Sequence, residues 1–259
     1  ALGNVVGSNI ANVLLVIGIP AFIAPMACNA PKMGRNMIIM IGAGLIFFAI
    51  AATGTITAGH GLLLLGLLIC FLLFSAFQGK KSKNDAELIE EYEELADEPV
   101  SYGKASFLII VGLLGLSFGA DLLVSGSVNV ARSLGVSEAI IGLTLVAIGT
   151  SLPELVTAIV AAVRGHCDVA VGNVIGSNIF NTLGIIGVTS LFGDIPVPDS
   201  FIQFDLWVMI GASFLLIPYY KTRKHVGKLS GLIMILLYGA YIYNLTLSAE
   251  SASAMGLPV

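Results

Sequence analysis

The 259-residue chain is 57% apolar and only 11% charged, with a strongly positive mean hydropathy. That composition excludes an ordinary soluble domain, and the net charge of −4 carries little weight because the charges are clustered. The length accommodates about eight spans of about 20 residues each.

The spans fall at roughly 4–27, 36–53, 57–78, 104–132, 137–163, 169–192, 200–219 and 227–247, which predicts an all-α polytopic membrane protein. With the span ends placed on alternate sides, eleven of the twelve Lys and Arg residues fall on one side and only Arg132 on the other. Such a bias makes the first side cytoplasmic and puts both the start and the C-terminal tail, 248–259, outside. The opening residues lack the basic leader and cleavage site of a signal peptide.

The first span contains GNVVGSNIANVLLVIG, Gly3 to Gly18. Its polar residues Asn4, Ser8 and Asn12 recur every four positions and so share one helix face. Gly3 and Gly7 share that spacing and would let a neighbouring helix approach closely. Met37 and Met40 in the second span, like Met209 and Met234 later, read as lipid- or core-facing filler. Cys28, Cys70 and Cys167 have no metal-type spacing and no pattern expected to form a disulfide. His60, His166 and His225 lie at loop or helix ends, where a solvated imidazole is the expected state.

Gly79 to Gly103 is the one long polar stretch and holds eight of the sixteen acids. Leu88, Tyr92 and Leu95 follow helical spacing, but the alternating ligands and central Gly of an EF-hand loop are missing, so a solvated linker is expected. In the fourth span Asp121 sits near mid-span. It is the second acid expected to be buried: a further partner of a transport site, a titrating group or a packing hydrogen bonder.

The fifth span carries GTSLPE, Gly149 to Glu154, inside an apolar run. Pro153 removes a backbone donor and crowds the Gly149 carbonyl, which predicts a local kink or break. Freed carbonyls in lipid must find protein, water or an ion. Thr150 and Ser151 precede Glu154 by four and three residues, so their hydroxyls are expected on its side. A carboxylate, hydroxyls and carbonyls are hard oxygen ligands suited to sodium or calcium.

After a tight turn at Arg164 to Asp168, the sixth span reads GNVIGSNIFNTLGIIG, Gly172 to Gly187. Eleven of sixteen positions match the first-span copy at a constant offset of 169. Asn173, Ser177 and Asn181 repeat the polar face, and Gly172 and Gly176 repeat the glycine pair. The copies are five spans apart and therefore cross the membrane in opposite directions: an inverted repeat, in which sites lie at the midplane between copies. Trp207, Tyr219, Tyr220, Tyr241 and Tyr243 lie near span boundaries, and most read as interfacial anchors.

GLTLVAIGTSLPEL followed by GNVIGSNIFNTLG resembles the second α-repeat of the sodium/calcium exchanger family, within the calcium/cation antiporter superfamily. GNVVGSNIANVLLVIG resembles the second half of that family's first α-repeat. The resemblance implies a ten-helix inverted-repeat antiporter fold of which this chain holds eight transmembrane helices. Residues 1–78 would be the remainder of the first half (three helices), 79–103 the acidic linker and 104–247 the second half (five helices). It implies exchange of Ca2+ for Na+ by alternating access, in a lipid bilayer, with no cofactor, no enzymatic chemistry and no nucleic-acid partner.

Carried over by motif, Glu154 would be the central cation-bridging carboxylate. Thr150 and Ser151 would supply oxygens, with the Ala147 carbonyl beside them. Ser177 and Asn181 would complete this half of the site, with Ser8 and Asn12 contributing the matching groups. Some exchangers carry Asp where this chain has Asn181; here both matching positions are amides. The resemblance also places two further helices before Ala1. Glu154 precedes Gly172 by 172 − 154 = 18 residues, so a GTS-x-PE-like hexad is expected 18 residues before Gly3.

The nearest alternatives are exchange of protons or another cation for calcium, a passive cation channel, and a non-transporting fragment lacking half of the site. A soluble enzyme is excluded, since no nucleotide loop, nucleophile–His pair or zinc spacing occurs.

Overall fold

The computed structural model describes residues 2–24, 33–79, 101–133, 147–222 and 226–254. The chain is almost wholly helical, and a helix stands at each of the eight stretches expected to span. In order these are α1 (Leu2–Ile23), α2 (Met33–Ala51), α3 (Ala58–Gly79), α4 (Tyr102–Ser133), the short α5 (Ala147–Thr150) with α6 (Leu152–Val163), α7 (Cys167–Leu191), α8 (Phe201–Tyr220) and α9 (Lys228–Ala254). Six of them are long and apolar enough to cross a membrane on their own: α1, α2, α3, α7, α8 and α9. The last helix continues to Ala254, so much of the expected tail is helical. The amphipathic segment expected around Leu88 to Leu95 lies outside the described residues.

The inverted repeat is visible in the backbone as well as in the residue types. Both copies change from α to π geometry within one residue of the same point and leave it at matched residues, over Asn12–Val16 in α1 and Phe180–Ile185 in α7. Adding 169 carries 12–16 onto 181–185. A π turn inserts a residue into the helix and rotates the turns beyond it, so the expected unbroken four-residue face ends at Asn12 and Asn181.

Packing repeats the same symmetry. The end of α1 crosses α9 at Gly18 and Gly231; a Cβ added to Gly231 would lie 2.5 Å from the Gly18 carbonyl oxygen. Its counterpart is the crossing of α7 with α3 at Gly187 and Gly61, where a Cβ on Gly61 would lie 2.7 Å from the Gly187 carbonyl oxygen. Gly18 and Gly187 are themselves 169 apart. The close approaches are therefore at the far end of the motif. Gly172 and Gly176 are exposed with open space beside them, contrary to the tight contact expected there.

Two connections tie the bundle ends. The loops after α2 and α7 pair as a two-residue antiparallel ladder, Thr55 with Pro196 and Ile56 with Ile195. Gly54, at φ +85°, makes the turn that delivers the first strand, and its carbonyl accepts the Val197 N–H at 2.9 Å. The expected tight turn between α6 and α7 rests on Gly165 at φ +83°, a conformation glycine adopts without strain. His60 accepts the Thr57 N–H at 3.2 Å at the start of α3, so this imidazole is a helix-end partner.

The core is built from α1 and α7, with Val5, Ile10, Val13 and Ile17 from one and Val174, Ile179 and Ile186 from the other all buried. Met37, Met40, Met209 and Met234 are all core-facing. Cys70 is exposed and Cys167 buried, and neither is in a disulfide.

Two expectations about ionisable and aromatic residues are corrected. Asp121 is exposed, not buried: α4 packs sparsely, and among the described residues nothing encloses its face at Asp121. Among the described residues the buried acid is Asp205, only 5% exposed, at the end of a π turn in α8. Tyr241 is not an interfacial anchor but a buried donor to Asp205, with its hydroxyl 2.9 Å from Oδ1. Burial explains the pairing, since a carboxylate inside a bundle requires a donor. Trp207 and Tyr243 do lie exposed, Trp207 edge-on to Phe48 at 4.7 Å.

Candidate cation site

The break expected from Pro153 falls at Ser151. Helix α5 ends at Thr150, Ser151 takes φ −96° and ψ 1°, and α6 restarts with Pro153 in its first turn. Proline fits there because first-turn N–H groups have no intrahelical acceptor in any case. Thr150 and Glu154 consequently stand on different helical segments. Thr150 is exposed and Ser151 buried, so the two hydroxyls expected beside Glu154 belong to residues in different surroundings. Ala147 opens α5, one turn before the break.

The remaining expected residues meet where α1, α6 and α7 cross. Ser177 donates to Glu154 Oε1 at 3.4 Å and accepts from Asn12 Nδ2 at 3.2 Å. Asn181 Nδ2 donates to Ser8 Oγ at 3.2 Å. Since Ser8 corresponds to Ser177 and Asn12 to Asn181 at the offset of 169, the two Asn-to-Ser bonds are the same bond in inverted copies. Asn4, the third member of the expected face, keeps a buried Oδ1 with no partner among the described residues.

A second pair of residues, not singled out by spacing, completes this network. Asn12 Nδ2 also donates to Asn178 Oδ1 at 3.0 Å, and Asn181 Nδ2 to Asn9 Oδ1 at 3.1 Å. These two bonds are again mates. Asn9 and Asn178 are each 2% exposed. Periodicity of four passes over them because they sit one residue beyond the serine, but both belong to the GSN triplet that is identical in the two copies. That identity was the available signal.

Within this polar centre several oxygens point at nothing. Glu154 Oε2, Asn12 Oδ1 and Ser151 Oγ are buried and have no hydrogen-bond partner among the described residues. An unsatisfied buried oxygen costs about 1–3 kcal/mol, more when charged. Three of them, one from α1, one from α6 and one from the break before α6, are all electron-rich and form an environment that favours a cation. Glu154 in the first turn of α6 also faces the positive end of that helix, which favours its negative charge.

A cavity of about 400 Å³ lies elsewhere, between α1, α8 and α9, with walls including Leu14, Phe204, Leu215 and Leu237. None of the repeat's polar residues lines it.

Comparison with known proteins gives one consistent result. The family described as "Sodium/calcium exchanger protein" matches residues 1–77 and 104–247. The putative antiporter CaxA of Alkalimonas amylolytica is 35% identical over 248 residues, covering 95% of this chain and 78% of that protein. The sodium/calcium exchanger MaX1 of Methanosarcina acetivorans is 31% identical over 93% of this chain and 78% of its own length. Among solved structures, the sodium-calcium exchanger NCX_Mj soaked with 2.5 mM Na+ and 10 mM Sr2+ superposes with a TM-score of 0.75 at 32% identity, over 93% of this chain and 75% of that one.

Proposed function

The chain belongs to the sodium/calcium exchanger family, and from that premise we propose that it is a secondary active antiporter that exchanges Ca2+ for Na+ by alternating access. It is a multi-pass integral membrane protein. The observation that carries the reading is the buried crossing of the two inverted copies, with unpartnered oxygens from Glu154, Asn12 and Ser151.

Glu154 supplies the charge that opposes the cation. Ser151, Ser177 and Asn12 supply neutral oxygens around it, and Ser8 and Asn181 form the mate set across the pseudo-twofold axis. Thr150 and the Ala147 carbonyl join through the backbone freed at the helix break. Two ions of different valence can share such a site because amide and hydroxyl oxygens add coordination without charge. Residues 1–78 and 104–247 act as two inverted halves joined by the acidic 79–103 linker. The skew of Lys and Arg puts that linker in the cytoplasm of a cell whose plasma membrane, the inner membrane in a bacterium, holds the protein.

Antiport as opposed to a passive channel is tested in proteoliposomes of the natural full-length protein. Calcium should accumulate above its external concentration only with an outward sodium gradient, and vesicles without internal sodium should take up none. Uptake that follows the calcium gradient alone, indifferent to sodium, would identify a channel. Uptake driven by a proton gradient with no sodium present would identify a proton-coupled exchanger.

A further inference from the structure

We propose that Asn178 and Asn9 are orientation locks for the site amides of Asn12 and Asn181, fixing which end of each amide is presented to the ion. The proposal rests on the site described above. A side-chain amide has an acceptor end and a donor end of nearly the same shape, so packing cannot choose between them. Only the acceptor end can bind a cation. A flipped amide would aim two N–H bonds at it.

The choice at Asn12 can be traced outward to a group that cannot be reversed. The backbone carbonyl of Asn9 is an acceptor only, and Asn178 Nδ2 donates to it at 3.1 Å. That contact turns Asn178 Oδ1 towards α1, where it accepts from Asn12 Nδ2 at 3.0 Å. Asn12 Oδ1 is thereby left at the opposite end, buried and unpartnered among the described residues. Ser177 also accepts from Asn12, but its hydroxyl can rotate, and its own donation to Glu154 is long at 3.4 Å. When Glu154 is engaged by an ion, Ser177 no longer dictates a direction. Asn178 does so whatever the state of Glu154.

The mate lock is built on different anchors. Asn9 Nδ2 donates to Thr182 Oγ1 at 2.8 Å and lies 3.7 Å from Met209 Sδ, and its Oδ1 accepts from Asn181 Nδ2 at 3.1 Å. Thioether sulfur accepts only weakly and a threonine hydroxyl can reverse its role. The Asn178 lock is therefore the stiffer of the two.

The test is a double-mutant cycle on equilibrium calcium binding to the purified full-length protein. Asn178→Ala should weaken calcium binding by about tenfold or more, the range in which outer partners of metal ligands act. In an Asn12→Asp background both side-chain oxygens accept, orientation no longer matters, and Asn178→Ala should cause no weakening. A purely structural role for Asn178 would give the same loss in both backgrounds and would overturn the proposal. If the alanine variant does not fold, Asn178→Leu, of similar shape and without the acceptor, takes its place in the same cycle: it should weaken binding about tenfold in the parent and not at all beside Asn12→Asp. Equal loss in both backgrounds would again overturn the lock. Parental protein that binds calcium alongside an unaffected Asn178→Ala would remove the lock alone. Parental protein that binds none would remove the site reading itself.

Discussion

The two copies of the repeated motif have the same backbone shape but differ in one side-chain hydrogen bond. Both turn π within one residue of the same point, both cross a partner helix at the same glycine, and both send an asparagine amide to the other copy's serine. They differ in where that serine sends its own proton. Ser177 donates to the Glu154 carboxylate at 3.4 Å, whereas Ser8 donates to the Val5 carbonyl of its own helix at 3.2 Å. Backbone geometry thus follows the shared sequence, while the serine's own bond follows the acceptor within its reach, Glu154 Oε1 for Ser177 and a carbonyl of its own helix for Ser8.

That contrast is broken most severely at Glu154. Glu154→Gln keeps the shape and removes the charge. A unit charge about 4 Å from another is worth about 4 kcal/mol at an effective dielectric near 20, so calcium binding should weaken by about a thousandfold. Binding assays on the purified protein check this, with size-exclusion chromatography to establish that the variant stays monodisperse. Glu250→Gln, on the last turns of α9, should bind like the parent.

Packing symmetry is sharpened by the glycine crossings. Gly231→Ala and Gly61→Ala place a Cβ 2.5 Å and 2.7 Å from a facing backbone oxygen, where backbone must give way. Overpacking of this kind costs about 1–3 kcal/mol. Thermal unfolding in detergent should show similar losses for the two, because they are the same contact in inverted copies. Gly66→Ala, with open space beside it, should unfold like the parent. Unequal losses at the two crossings would show that the packing symmetry does not extend to energetics.

A smaller effect belongs to a feature with no counterpart in the other half. Asp205 lies 169 residues after Asn36, and at the offset of 170 that pairs Gly61 with Gly231, Tyr241 corresponds to Phe71, so the Asp205–Tyr241 bond has no mate at these positions. Tyr241→Phe leaves a buried carboxylate oxygen without its donor and should destabilise by about 1–3 kcal/mol. Asp205→Asn, which retains an acceptor and sheds the charge, should destabilise less. The same thermal scan orders the two.

The smallest change makes the copies more alike. Thr182 corresponds to Val13, and Thr182→Val removes the hydroxyl that accepts from Asn9. A neutral hydrogen bond contributes about 1 kcal/mol net, so calcium affinity should fall by no more than about fivefold. A loss as large as that of Glu154→Gln would make Thr182 a direct ligand.

Much of this was legible in the sequence, for identifiable reasons. The inverted repeat needs only residue identity at a fixed offset, and Pro153 announces the helix break through its missing N–H. The places of Glu154, Ser8, Asn12, Ser177 and Asn181 at one crossing follow from those two facts. Asn9 and Asn178 were hidden because a four-residue period selects one helix face, whereas a helix at a three-way crossing uses two. Thr150 was assigned to the Glu154 side on the assumption of a continuous helix, which the break at Ser151 removes. Asp205, and not Asp121, is the enclosed acid because burial of an acid depends on which helices pack beside it. Depth along a span does not report that. Asp205 is near the start of its span yet enclosed by α9, while Asp121 is near the middle of a sparsely packed one.

The central claim is that sodium and calcium use one site between the inverted copies. Its most direct test is equilibrium binding of radioactive calcium to the purified full-length protein at rising sodium concentration. The account predicts competition: the apparent calcium Kd climbs steadily with sodium while the amount bound at saturation stays constant. Sodium that leaves the Kd unchanged, or that lowers the saturating amount without shifting the Kd, would place the two ions at separate sites and contradict it.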